Sequence, residues 1–151
     1  MDKKTLKEAL FNTCQFRIDK KIKDLHNAWT NQQQALSSET KSSAGDKHET
    51  GRAMVQLEME KIGRQILEFE QMKLSMGKLD LSFSALSRMG SVVKTNSIHY
   101  FIGIGMGKIE IAKELYYAVS PNAPIGKMLL GKKAKDSILF QGNTIEIQEV
   151  F

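Results

Sequence analysis

The sequence predicts an α+β chain: an N-terminal antiparallel α-helical coiled-coil hairpin followed by a small β-rich domain carrying one short helix. Three observations predict it. The first half has no proline and repeats its apolar residues at steps of three and four, which is helical periodicity. The second half changes to short β-type runs separated by turn residues. The two apolar stripes of the first half are also mirror images of one another.

Residues 3–41 read as one long helix. Its stripe runs Ile18, Ile22, Leu25, Trp29, Gln32 and Leu36, with steps alternating between four and three, the pattern of a coiled-coil seam. After a break at Ser42-Ser43-Ala44-Gly45, a second stripe runs Val55, Met59, Ile62, Ile66 and Phe69. Pairing Leu36 with Val55, Gln32 with Met59, Trp29 with Ile62, Leu25 with Ile66 and Ile22 with Phe69 gives one mirror centre, between Gly45 and Asp46. Unrelated stripes have no reason to share a centre, so the helices are expected to fold back on each other within one chain. At 1.5 Å per residue, a helix of about 35 residues reaches about 50 Å, and such a hairpin is expected to hold its tip away from the rest of the protein.

Residues 73–90 lose the heptad and gain serine and glycine, as a last helical turn and a linker would. Residues 91–95 and 100–104 then read as a β-hairpin around Asn96-Ser97, and residues 108–112 and 114–119 continue as strands. Ser120-Pro121 reads as a helix start and Gly131 as its stop. Residues 136–140 and 144–150 read as two closing strands around Gln141-Gly142-Asn143, giving a sheet of about five strands. The expected organisation is a hairpin over 1–76 with its tip near 42–52, a linker over 77–89 and a C-terminal domain over 90–151.

Composition limits function more than it selects it. The 151 residues are 41% hydrophobic and 26% charged, a globular balance, and no run approaches the roughly 20 apolar residues that span a bilayer. No secretory signal is read at the N-terminus, and Cys14, the single cysteine, excludes an intramolecular disulfide or a cysteine-based zinc cluster, so a cytoplasmic monomer is expected. The net charge of +5 is spread along the whole chain, without one basic block interleaved with aromatics. Contact with nucleic acid is therefore expected to be weak or indirect.

Candidate chemistry concentrates at the hairpin tip, Ser42 to Arg52. Asp46 and Glu49 are three residues apart, so a helix start brings both carboxylates to one face. Such a pair could help coordinate a hard cation such as Mg²⁺, and it equally matches a capping box, which starts helices without any function. His48 is a further candidate ligand or proton carrier. His26 and His99 have no partners at metal-ligand spacing, and Cys14, Trp29 and the methionines read as core. The run Gly103-Ile104-Gly105-Met106-Gly107 leads into β-type residues instead of opening a helix, so it reads as a turn and not as a phosphate loop.

These residues resemble the Gre family of bacterial transcription elongation factors. The likeness rests on a helical hairpin with a Gly45-Asp46-Lys47-His48-Glu49 tip and on the stretch from Ser120-Pro121 through Leu129-Leu130-Gly131-Lys132-Lys133. The resemblance implies an FKBP-like C-terminal domain and RNA polymerase as the partner, with the hairpin entering the polymerase's secondary channel. It further implies that Asp46 and Glu49 help hold a catalytic Mg²⁺ shared with the polymerase, whose own centre hydrolyses backtracked RNA, so that the factor has no turnover alone. The family usually continues after the acidic pair with Asn-Ala-Glu-Tyr, whereas this chain has Thr50-Gly51-Arg52-Ala53. A channel regulator without cleavage stimulation is the alternative; a coiled-coil protein with a peptidyl-prolyl isomerase-like domain, built around Tyr100, Phe101, Tyr116, Tyr117, Phe140 and Phe151, is a more distant one.

Overall fold

The computed structural model describes the backbone of residues 1–41 and 45–151 and the side chains of residues 1–38 and 49–151. The elements in order are α1 (Lys3–Lys41), α2 (Gly45–Met76), β1 (Val92–Thr95), β2 (His99–Ile102), β3 (Gly107–Ile111), β4 (Glu114–Val119), α3 (Pro124–Leu129), β5 (Ser137–Phe140) and β6 (Asn143–Val150). They divide into two compact units, Ile18–Lys73 and the combination of Met1–Arg17 with Leu74–Phe151. The first turns of α1 thus belong to the sheet-bearing unit, although the sequence groups them with the hairpin.

In the helical unit the predicted seam is the one that packs. Leu25, Ile62 and Ile66 form a buried cluster, with Ala28, Trp29 and Phe69 packed against it, and every other predicted seam position is at least half-buried. Polar contacts keep the same register: Lys73 Nζ lies 2.8 Å from Asp19 Oδ1, and Lys21 Nζ lies 6.0 Å from the centre of the Phe69 ring. Each of these contacts joins residues nearly equidistant from one turn, so the helices are antiparallel. The ion pair is about half exposed on both sides and adds little stability, whereas the apolar seam carries most of it.

The second unit is built on a six-stranded sheet of order β3-β4-β2-β1-β6-β5. β2 and β4 run parallel and all other neighbours are antiparallel. The six strands correspond to the six β-type runs of the sequence, one more than the expected count of about five, and Ala112 (φ 50°) and Lys113 (φ 66°) make a two-residue turn between β3 and β4. Positive φ at both central positions matches the right-handed twist of a tight hairpin. Gln141 (φ 51°) and Gly142 (φ 79°) do the same between β5 and β6. One sheet face buries Val93, Tyr100, Ile102, Ile138, Ile145 and Ile147 with Leu129 of α3.

The expected helix start at Ser120-Pro121 is corrected. Ser120 Oγ accepts the Asn122 amide at 3.1 Å and its carbonyl accepts the Ala123 amide at 3.1 Å, which makes a turn, and the proline at the start of α3 is Pro124. Gly126 is required there because a Cβ would meet the Ser120 carbonyl oxygen at 1.9 Å. The C-terminal glycine is as expected: Gly131 (φ 74°) follows α3 and donates to the Ser87 carbonyl at 2.9 Å.

Segment 77–89, expected as a linker, contains no regular element yet is held in place. The buried Ser87 hydroxyl donates to the Leu129 carbonyl and accepts the Lys132 amide at 2.9 Å. Arg88 Nη2 pairs with Asp80 at 3.1 Å. In α1, Leu6, Leu10 and Cys14 are buried, and Arg17 Nη1 donates to the Lys108 carbonyl at 2.8 Å.

Replacing Ile62 with alanine should cost about 2–4 kcal/mol in urea denaturation, the usual range for a buried large-to-small change. Leu57→Ala, at a side chain 65% exposed, should stay within about 0.5 kcal/mol. Equal losses would show that the seam is not where the hairpin holds together.

Candidate functional site

Because α2 begins at Gly45, Asp46 and Glu49 both stand in its first turn, one helical turn apart. Glu49 is exposed; the side chains of Asp46, Lys47 and His48 lie outside the described residues, as does the break at Ser42 to Ala44. The N-terminal end of a helix carries partial positive charge, which favours carboxylates at these positions. Arg52, three residues beyond Glu49, is half-buried.

Charge around this turn is confined to its close flanks, where Glu39, Lys41, Lys47 and Arg52 accompany the two acids. From Leu25 to Ser38, α1 has no Asp, Glu, Lys or Arg, and neither does the run Ala53 to Leu57 in α2. Charge is thus clustered around the two acids and absent from these runs farther along both helices. As a donor set they offer carboxylate oxygens, which hard cations prefer, but two ligands do not close a coordination shell. Among the described residues there is no group of three or more His, Cys, Asp or Glu that could hold a metal ion.

Clear shifts in proton affinity among the described residues fall in the sheet-bearing unit, and each has a structural cause. Lys7, which the sequence reading passed over, is buried at 1% exposure. Its Nζ donates to the Ser82 carbonyl at 3.2 Å and sits 5.7 Å from the Phe83 ring centre. Burial, and then the neighbouring Arg88 charge, push its ammonium down to about 8 against the partial support of Asp80. The signal was positional: Lys7, Leu10 and Cys14 keep the helical spacing of a buried stripe, with an ammonium in one apolar place. Burial pushes the Cys14 thiol up to about 11, so it stays protonated and unreactive, the core role read for it.

A second cluster lies on the sheet. Tyr116 donates to Glu114 Oε2 at 2.8 Å, Lys94 Nζ stands 3.4 Å from the same oxygen, and the His99 ring centre lies 5.6 Å from that of Tyr116. Burial first, then the Glu114 bond, raise the Tyr116 hydroxyl. Burial and Lys94 lower His99, whose Nδ1 accepts the Thr95 amide at 3.3 Å. These groups satisfy one another. The rings that a proline-binding pocket would need are committed too: Tyr100, Phe101, Tyr116 and Phe151 are buried, and Tyr117 and Phe140 pack on the sheet core. Gly103 to Met106 forms the connection from β2 to β3 and Gly107 opens β3, so the run is a link between strands, as the turn reading expects.

No protein-family model matches the chain, and no curated protein matches it. Among solved structures, it is similar to GreA factor homolog 1 (Gfh1) of Thermus thermophilus, at 16% identity and a TM-score of 0.38, over 91% of this chain and 94% of that one. No helix among the described residues is long and apolar enough to cross a membrane.

Lys7→Met should raise the thermal midpoint at pH 7, since the folded chain no longer buries an ammonium. The sign follows from a folded affinity of about 8 against an ordinary 10.5: the penalty is complete below the lower value and gone above the higher one. The variant's advantage should therefore shrink as pH rises between the two. A variant less stable at pH 7 would show that the Ser82 bond outweighs the cost of burial.

Proposed function

We propose that this chain is a transcription elongation factor that binds RNA polymerase through the secondary channel and stimulates cleavage of backtracked RNA with Asp46 and Glu49. The observation that carries the reading is the hairpin register. An antiparallel seam with one mirror centre puts Gly45-Asp46-Lys47-His48-Glu49 at the turn, in a chain that continues into a sheet unit with the Ser120 to Lys133 stretch. An acidic turn on paired helices suits delivery of two carboxylates into a narrow space.

Asp46 and Glu49 fit Mg²⁺ in donor type and number, because this ion commonly takes only one or two carboxylates from a protein. The polymerase would supply the remaining ligands, and the chain would have no turnover of its own. When bound, the ion activates water and offsets developing negative charge at phosphorus. The chain's own part is to bind, to place the two acids, and to hold them there through the seam. It acts in this reading as a cytoplasmic monomer that meets nucleic acid only through the polymerase.

The second reading, a channel regulator without cleavage stimulation, draws on Arg52. This half-buried cation follows Glu49 by three residues and competes with a metal for it. An isomerase is disfavoured by the buried rings of the sheet unit.

The test is RNA cleavage in a backtracked polymerase complex from the same organism, with Mg²⁺ present. The chain should accelerate 3′-end cleavage, and Asp46→Ala with Glu49→Ala should reduce that acceleration by about 10–100-fold, the usual cost of losing metal-supporting groups, with binding retained. Binding without acceleration in the unaltered chain would favour the regulator, and absence of binding would overturn both.

A further inference from the structure

The two edges of the sheet are treated differently. At the β3 edge, Arg17 Nη1 reaches the carbonyls of Met106 at 3.4 Å and Lys108 at 2.8 Å, and the strand itself carries Lys108 and Glu110. Charged residues and covering groups of this kind are how natural sheets prevent edge-to-edge pairing. β5, at the opposite edge, reads Ser-Ile-Leu-Phe and carries no charge.

The register decides what that edge presents. β5 and β6 pair Ile138 with Ile145 and Phe140 with Asn143 around the two-residue turn, which makes these the hydrogen-bonded pairs. The Ile147 amide donating to the Asp136 carbonyl at 2.8 Å continues the same alternation. The backbone groups of Ser137 and Leu139 therefore point away from β6. Among the described residues no other backbone bond reaches them. Ile138 and Phe140 turn their side chains to the core, while Leu139 is 65% exposed.

The surrounding charge gives the edge a preference. Lys132, Lys133 and Lys135 lie immediately before β5, the last two exposed. Among the nearby acids, Asp136 is engaged, its Oδ2 accepting the Lys133 amide at 2.9 Å, and Glu146 stands across from Ser137 on β6. We propose that the β5 edge is a strand-addition site for an extended, acidic and apolar segment of a partner protein. The segment would bond to the outward groups of Ser137 and Leu139, cover Leu139 with an apolar side chain and place its carboxylates against Lys133 and Lys135. This surface is separate from the acids of the hairpin turn, so it does not depend on the function proposed above.

The test follows amide exchange by NMR in the full-length chain, with a short peptide alternating valine and glutamate and its valine–lysine counterpart. The glutamate peptide should slow exchange at Ser137 and Leu139 by about tenfold or more, and the lysine peptide should not. Leu139→Pro removes only an outward donor at an edge and should abolish the effect. Lys133→Glu with Lys135→Glu should reverse the preference between the two peptides, a result that does not depend on how well the proline variant folds. No protection at millimolar glutamate peptide, or equal protection by both peptides, would overturn the proposal. So would protection that grows with protein concentration and without peptide, because the occupant would then be a second copy of the chain.

Discussion

The seam of the helical hairpin is the constraint on which any functional reading depends. Two antiparallel helices can slide past each other only by moving a whole set of apolar side chains off their partners. Leu25, Ile62 and Ile66 permit one register, with Trp29 and Phe69 closing the cluster. That register fixes which residues occupy the turn. A slip of one heptad would bring different side chains there, so the position of Asp46 and Glu49 is a consequence of apolar packing some fifteen residues away. The hairpin's chemistry is set by its least reactive residues.

The sheet-bearing unit relies on a different device. Its most motif-like stretch, Ser120 to Lys133, is explained residue by residue by packing. Ser120 closes a turn, Pro124 begins α3, Gly126 leaves room for the Ser120 carbonyl, and Gly131 adopts a positive φ while bonding to Ser87. Ser87 in turn holds both ends of that bend through its hydroxyl and its backbone. A recognisable string can thus mark a folding requirement and not a binding site, which limits how much function it can argue.

The elements most legible in the sequence were those with a strong period. α1 could be read from end to end because its stripe keeps one helical period throughout, and the closing β-hairpin because Gln141-Gly142 sits between two β-type runs. The failures share a cause, which is tertiary context. Nothing local distinguishes Pro121 from Pro124 as a helix start; the choice is made by the Ser120 turn against Gly126. Nor does any local rule predict that Ala112-Lys113 adopts positive φ without glycine or asparagine. Lys7 holds a place in a buried helical stripe, but a lysine there reads as solvated until the structure shows what covers it. Of the site, the sequence showed the pair of acids and their spacing, while its environment depends on contacts that spacing does not contain.

Arg52 shows why the environment matters more than the motif. Residues three apart on a helix have Cβ atoms about 5–6 Å from one another. Between unit charges at that distance the interaction is about 0.7 kcal/mol in bulk water, and about 3 kcal/mol at the effective dielectric of a partly enclosed protein site. In the free chain Arg52 therefore does little to Glu49, whose own side chain is exposed. Enclosed by a partner, the same arginine becomes a real competitor for a cation. Glu39, Lys41 and Lys47 add charges of both signs near the turn, so in the proposed reading whether the acids hold a metal depends on the partner's enclosure as much as on the chain. The two proposed readings, cleavage factor and silent channel regulator, then share one fold and differ in how far the turn is enclosed.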